Sequence, residues 1–467
     1  MNIFNKNILI AGIISISFAL SSCNSTLDTD PPTDEISAEQ VFTSANGIRI
    51  ARTGLYVYNF LSNSVYYQYL PRYYSMFSDD MIHRQTSWEE EYANAYTESS
   101  SFVGTVWNNL YKSIRQSNIF IENVEKNNII SKETRDQYLA DALFFRALGY
   151  FYLTNSFGDV PLILSTNAEE TGFLPRVSQN LIYAQIESDL LEAAEKLNDT
   201  DNGVVYISSD ACYALLARVY TYTEQWDKAI EYANKLIPTA DGGNGTKYQL
   251  EEIAKVYKSS SKEAIFSANI EGYSGSGTYV GYTTEGANFV PSANTVNYQL
   301  TSKLVSLLQA NPDDQRNSWI DNRKGVYFPY KYKNRVTPTI ATDYEYQNWF
   351  RLTEDYLIRA EALAHQGNLE KAVDDVNKIR NRAGLSNLDA TVMSQEDVLN
   401  AVLEERQKEF FCEMGHRFFD LRRTGKIDEV LSACDWKHWE SYLQWLPIPL
   451  AQTQYNSNLT QNDGYSK

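Results

Sequence analysis

A helical period, in which large and small apolar residues recur at fixed offsets, constrains this chain more than any other feature. Asp210 to Tyr220 is followed by Trp226 to Leu236, and within them Tyr213, Leu216, Ala217, Tyr220 and Ala229 fall in the order large, large, small, large, small. Tyr356, Ala360, Leu363, Ala372 and Val376 repeat most of that spacing, with Gly367 at the turn and Arg359 at an expected apolar position. Small residues at these offsets let the two helices of a pair approach closely. A chain carrying such pairs is bound to a helical scaffold.

The offsets are those of a tetratricopeptide-like helix pair. Leu139 to Thr154 reads as the first helix of another pair and Asn180 to Leu197 as its second, separated by Phe157-Gly-Asp-Val-Pro-Leu162. Ala38 to Phe60 and Trp107 to Glu125 read as two further amphipathic helices. The pairs are not tandem. Residues 240–345, rich in Gly, Ser, Thr, Asn and Tyr, interrupt them, and a second irregular, aromatic insertion spans about 79–105. Long irregular insertions on a regular scaffold are where binding loops are carried. The expected fold class is mainly α: an α-α superhelix of helix pairs packed against an irregular, loop-rich, ligand-binding half.

The first residues predict a secreted chain. Lys6 precedes an apolar run from Ile8 to Leu20, the length of a signal-peptide core and too short to span a membrane. Leu20-Ser21-Ser22-Cys23 follows, where small residues before a cysteine resemble a bacterial lipobox. Residues 1–22 are therefore expected to be a lipoprotein signal peptide. Cys23 is the expected lipidation site, residues 23–36 an acidic tether, and 37–467 the folded part. No later run is apolar enough to cross a membrane, so the lipid anchor is the expected membrane contact. A net charge of −18 disfavours nucleic acid as a partner, because phosphate binding needs clustered Lys and Arg. With Cys23 lipidated, Cys212, Cys412 and Cys434 remain. The first two read as buried hydrophobes, and the spacing allows a Cys412–Cys434 bridge without fixing it.

The C-terminal third carries the most specific motifs. Glu405-Arg406 leads to Glu409-Phe-Phe-Cys-Glu-Met-Gly-His-Arg-Phe-Phe-Asp-Leu-Arg-Arg-Thr-Gly425. Trp445-Leu-Pro-Ile-Pro449 leads to Asn458-Leu-Thr-Gln-Asn-Asp-Gly-Tyr465. With Ala142 to Tyr150, Gly158-Asp-Val-Pro161, Arg359-Ala-Glu-Ala-Leu363 and Asp314-Gln-Arg316, these resemble the signatures of the SusD/RagB family of outer-membrane nutrient-binding lipoproteins. Met414, His416 and Ser457 are departures. The resemblance implies a non-catalytic, surface-facing outer-membrane protein that binds a glycan, or in some branches a peptide. It also implies a SusC-like TonB-dependent transporter as the protein partner. It assigns no ligand contacts, because those vary between members.

The residues themselves bear on other functions. Glu405, Arg406, Glu409, Glu413, Arg417, Asp420, Arg422 and Arg423 read as a lattice of paired charges tying helices together rather than an acid/base cluster. Glu413 and His416 have the i, i+3 spacing of a carboxylate metal site but no second such pair, so no metal or other cofactor is expected. Asp199-Thr-Asp-Asn-Gly203 has the oxygen ligands of a calcium loop and lacks the closing Glu of an EF-hand, so a plain turn is its alternative. A surface glycoside hydrolase and a repeat adaptor are the competing classes. The first needs two converging carboxylates and the second an uninterrupted array of repeats.

A sugar site needs an exposed aromatic face beside polar groups. Trp88, in a polar and irregular context, is the leading candidate, with Tyr92 and Tyr96 on its face if the segment is helical. A second candidate segment carries Tyr273, Tyr279, Tyr282, Asn288 and Phe289 on a glycine-rich loop, and Trp436 and Trp439 are weaker candidates.

Overall fold

A computed structural model describes residues 38–60, 64–197, 203–238, 247–268, 281–293 and 295–465. The signal peptide, Cys23, the tether, Asp199 to Asn202, Tyr273 and Tyr279 lie outside the described residues. Helices of eight residues or more are α1 (Ala45–Phe60), α2 (Leu70–Phe77), α3 (Ser101–Val124), α4 (Lys132–Phe157), α5 (Gln179–Leu197) and α6 (Ser209–Tyr222). They continue with α7 (Trp226–Leu236), α8 (Leu352–His365), α9 (Leu369–Arg382), α10 (Gln395–Phe410) and α11 (His416–Arg423). The strands are β1 (Met81–His83), β2 (Ala264–Ala268), β3 (Tyr298–Leu300), β4 (Ile320–Arg323), β5 (Val326–Pro329) and β6 (Gln347–Arg351).

Every residue of α4 from Leu139 to Phe157 is buried, as a helix without a polar face must be. α4 is the central rod, with α3 and α5 along its sides, started by Ser131 capping Thr134 N and ended at Gly158 in the left-handed region. The pairs α6/α7 and α8/α9 form as the period predicts, closing on Ala217, Ala229, Ala233, Ala360, Ala364 and Ala372, all fully buried. Arg359, the departure from the apolar pattern, lies half-exposed and pairs with Asp375 through two bonds of 2.7 and 2.8 Å. The expected single helix over 38–60 is instead two, Ala38–Val41 and α1. Thr43 and Ser44 bond locally to Gln40 O and Gly47 N and compete with the helical ladder. Cys212, Cys412 and Cys434 are all buried free thiols, so the Cys412–Cys434 bridge is not formed. Cys212 lies in α6. Cys412 sits at φ 56° in the turn after α10, outside any helix.

The strands join the irregular insertions to the scaffold. β1 pairs antiparallel with β3, so the two insertions meet there, with Met81 opposite Leu300 and His83 opposite Tyr298. β2 pairs with β6, which runs directly into α8.

The predicted charge lattice is present and buried. Arg316 bonds Asp314 at 2.8 Å, Glu405 at 2.7 Å and Glu409 at 3.0 Å. Arg351 and Arg382 each bridge Glu263 and Glu409 over 2.6–3.0 Å. A neighbouring set joins Arg218 to Glu354, Arg406 to Asp420 and Arg423 to Glu361. These ties connect α6, α8, α9, α10 and α11 to the strands of the irregular half. Buried charges of this kind are tolerated only because each finds its partners.

Candidate functional site

β1 and the turn after it present an aromatic cluster. Asp79 and Asp80 root the strand. Arg417 donates two bonds to Asp79, at 2.7 and 3.0 Å, and Cys412 N and Gln407 Nε2 each donate to Asp80 at 3.2 Å. Trp88 follows on a single 3-10 turn, Thr86–Trp88, and is half-buried. The Arg72 guanidinium lies 5.1 Å from its ring centre and the His83 ring 5.0 Å away. Tyr69 and Tyr73 stack in parallel at 5.5 Å beside Arg72, and Arg72 Nη1 donates to the Tyr298 hydroxyl at 3.3 Å. Burial holds His83 below its ordinary pKa, so its ring is neutral, and its Nδ1 accepts from Gln85 N. Burial also raises Glu91, next to the cluster.

The second predicted segment reaches the same place. Tyr298 packs edge-on against His83 at 4.7 Å and Phe289 at 5.2 Å, and stands 6.4 Å from Trp88. Tyr282 is half-buried just after Gly281, which has φ 69° and lies so close to Tyr344 that a Cβ would overlap the ring. Asn288, also half-buried, and Phe289 stand instead in a short helix, Thr284–Phe289, and not on the expected loop.

Tyr96 and Phe289 are not available to a ligand. The helix carrying Trp88 onward is only Glu89–Tyr92, because Asn94 turns left-handed at φ 55° and ends it. Tyr96 consequently leaves the expected face and is buried, its hydroxyl donating to Leu443 O at 2.5 Å. Phe289 is buried against Tyr298. Tyr92 stays half-buried, its carbonyl held at 2.9 Å by Lys437 Nζ, which also bonds Met76 O and Asn94 Oδ1. Trp436 is half-buried beside that lysine in the chain, and Trp439 is tied to Asp428 at 2.8 Å.

Arg72, His83, Tyr69 and Tyr298 were missed by sequence reasoning. Tyr69 to Tyr74 could have been found as an aromatic run around one arginine. Tyr298 could not, because only strand pairing brings it in.

One buried donor here, Arg72 Nε, has no acceptor among the described residues. Such groups are rare in folded proteins and mark places where a ligand can complete the bonding. A partly exposed indole with donors around it suits the apolar face and hydroxyl rim of a sugar. Another cleft, of about 310 Å³ beside α6, α8 and α10, suits a sugar less well. One face of its Trp226 is covered by His365 at 4.1 Å, and its Glu361 and Arg423 neutralise each other. No group of three or more His, Cys, Asp or Glu placed to hold a metal occurs among the described residues.

Comparison with known proteins gives a consistent picture. Residues 232–465 match the family model described as the SusD family, and residues 27–221 one described as starch-binding, associating with the outer membrane. A SusD-like protein P25 of Formosa agariphila is 25% identical, with 98% of each chain covered. The starch-binding protein SusD of Bacteroides thetaiotaomicron is 37% identical over 123 residues, 25% of this chain and 21% of that one. Among solved structures, a SusD superfamily protein of Bacteroides vulgatus has a TM-score of 0.77 at 21% identity, covering 90% of this chain and 99% of its own. A laminarin-binding SusD-like protein has a TM-score of 0.71 at 23% identity, covering 90% and 100%. These two structural likenesses establish the shared, mainly helical fold.

Proposed function

The chain belongs to the SusD/RagB family, and from that premise we propose that it captures an oligosaccharide on the Trp88 platform and releases it chemically unchanged. The cluster of Trp88 and Arg72, whose buried Nε has no acceptor among the described residues, carries this reading. Starch-binding and laminarin-binding relatives support a glucan-like ligand over a peptide. Cys23 anchors the chain to the outer membrane through its acyl groups in this proposal, facing outward, and a SusC-like TonB-dependent transporter receives the ligand. A described region without any helix long and apolar enough to cross a membrane is consistent with anchoring by lipid.

Catalysis is disfavoured by the state of the acids. The carboxylates in the family motifs are held in ion pairs, as with Glu409 between Arg316, Arg351 and Arg382, which suits them to holding the fold rather than donating a proton.

Calorimetric titration of the chain from Thr26 onward tests the proposal, using malto- and laminari-oligosaccharides and peptides, with product analysis afterwards. Saturable binding of an intact oligosaccharide, weakened in Trp88→Ala, is the expected result. Cleaved product, or binding of peptides alone, would overturn it.

A further inference from the structure

The Trp88 cluster meets α3 at its first turn, through Phe102 against Tyr73. Farther along the same helix, from Trp107 to Arg115, a separate cleft of about 320 Å³ opens between α3, the segment 161–174 and the short helix Leu450–Tyr455. The cleft's lining on α3 begins at Trp107, about 8 Å along the helix from Phe102, and includes none of the residues of the Trp88 cluster, so the two places are distinct.

At the rim of this cleft stand two large aromatic rings in water. Phe173 is 56% exposed and Tyr455 68%, and they stack on each other at 5.7 Å with their planes 11° apart. Each keeps its outer face free. The two segments are joined by asparagine side chains that bond backbone carbonyls rather than by the rings. Asn458 Nδ2 donates to Phe173 O at 2.7 Å and Asn456 Nδ2 to Leu174 O at 3.0 Å. These bonds keep the two segments, and with them the stacked rings, side by side, and preorganisation of this kind lowers the entropy lost on binding.

The cleft itself mixes apolar and polar surface. Trp107 and Tyr111 supply its apolar wall, while Asn108 is exposed and accepts a long 3.4 Å bond from Gln452. Arg115 is exposed and has no hydrogen-bond or ion-pair partner among the described residues. An apolar helix laid here would leave these groups unpaired, at a cost. A sugar would not, because its hydroxyls bond the amide and guanidinium while its C–H faces meet the rings. The volume lies at the small end of ligand clefts, about 300–1,000 Å³, which fits a short stretch of oligosaccharide.

We propose that this cleft is a second saccharide-binding site, taking a short segment of a neutral oligosaccharide against Phe173 and Tyr455, with Arg115 and Asn108 on its hydroxyls. The inference rests on the glycan reading above and extends it. Two separated sites on one chain hold a long polysaccharide by avidity, the second contact being made at high effective concentration.

The test is calorimetry with maltoheptaose and laminarihexaose, together with gel retardation in soluble starch and laminarin. The proteins compared are wild type, Trp88→Ala, the double variant Phe173→Ala/Tyr455→Ala, and Arg115→Gln, all folded by circular dichroism. The substituted rim residues are exposed, which keeps the fold out of the comparison. Two binding equivalents are expected for wild type and one for either aromatic variant, with about a tenfold weaker retardation in the double variant. Arg115→Gln should weaken the same site severalfold. A single equivalent abolished by Trp88→Ala and untouched by the rim variants would overturn the second site and leave the first standing. No binding of any of these glucans by wild type would overturn both.

Discussion

Arg417 and Asp79 are joined by two hydrogen bonds, of 2.7 and 3.0 Å, across 338 residues of chain. Arg417 belongs to the C-terminal motif run, and Asp79 is the root of β1, the strand that presents the Trp88 cluster. A motif helix and the strand bearing the candidate site are thereby one mechanical unit. The Asp79 side chain is fully buried, and among the described residues Lys303 is its other ion-pair partner, at 3.1 Å.

Arg417→Met should therefore strand a buried carboxylate and cost about 3–5 kcal/mol of stability, read by denaturant unfolding. Asp79→Asn in the same chain should recover part of that loss, since the charge then no longer needs a partner. A cost below about 1 kcal/mol for the single variant would show that water reaches Asp79 and that the tie is dispensable.

The aromatic cluster makes a sharper pair of expectations. Trp88→Ala should weaken oligosaccharide binding by about 1–3 kcal/mol, the scale of one lost stacked ring. Tyr96→Phe should leave affinity unchanged, because its hydroxyl is spent on Leu443 O, while costing about 1 kcal/mol of stability. Titration and thermal unfolding of the two variants separate these roles. Loss of affinity in Tyr96→Phe would return that residue to the site.

The contrast between those two residues shows what was legible in the sequence. Helix pairs α6/α7 and α8/α9 are local, and their period of small and large residues places them almost to the residue. The charge lattice was also legible, because Glu405, Arg406 and Glu409 lie at spacings that acid/base chemistry did not need. Tyr96 was misplaced because the helical period was carried through Asn94, whose left-handed backbone no pattern of apolar residues announces. Tyr298 and Arg72 escaped for a different reason. Their meeting depends on β1 finding β3 across more than two hundred residues, in strands only three residues long. Short strands carry too little alternation to reveal their register.

Acid strength should shape stability from both sides. Burial pushes Asp80 up to about 7, with help from the charge of Asp79, and burial pushes Glu285 up to about 7 as well. A carboxyl raised in the folded state contributes stability that is present below its unfolded value and lost as pH rises through the folded one. Glu263, Glu409 and Asp420 run the other way. Burial opposes their ionisation, but their arginine partners hold each below the usual carboxylate range, so their contribution is lost as pH falls. The unfolding temperature should peak between about pH 4 and pH 5 and fall as the pH rises toward about 7. Asp80→Asn should flatten that alkaline limb in a series of thermal scans, and an unchanged slope would assign it to other groups.

Glu409 decides between a lattice and an acid/base centre. Its carboxylate bonds Arg316, Arg351 and Arg382, at 3.0, 3.0 and 2.6 Å, and its side chain is fully buried. A general acid must hold a proton near its working pH, and one surrounded by three guanidinium groups does not. Glu409→Gln keeps the shape and removes the charge, leaving three buried arginines with fewer acceptors. The expected cost is about 3–5 kcal/mol, measured by chemical denaturation, because unpaired buried cations are expensive. Oligosaccharide affinity in whatever fraction remains folded should match wild type, since no described bond links Glu409 to the Trp88 cluster. If a lattice role is right, the variant loses stability first and binding only through unfolding. Full stability with altered binding would instead place Glu409 in contact with the ligand.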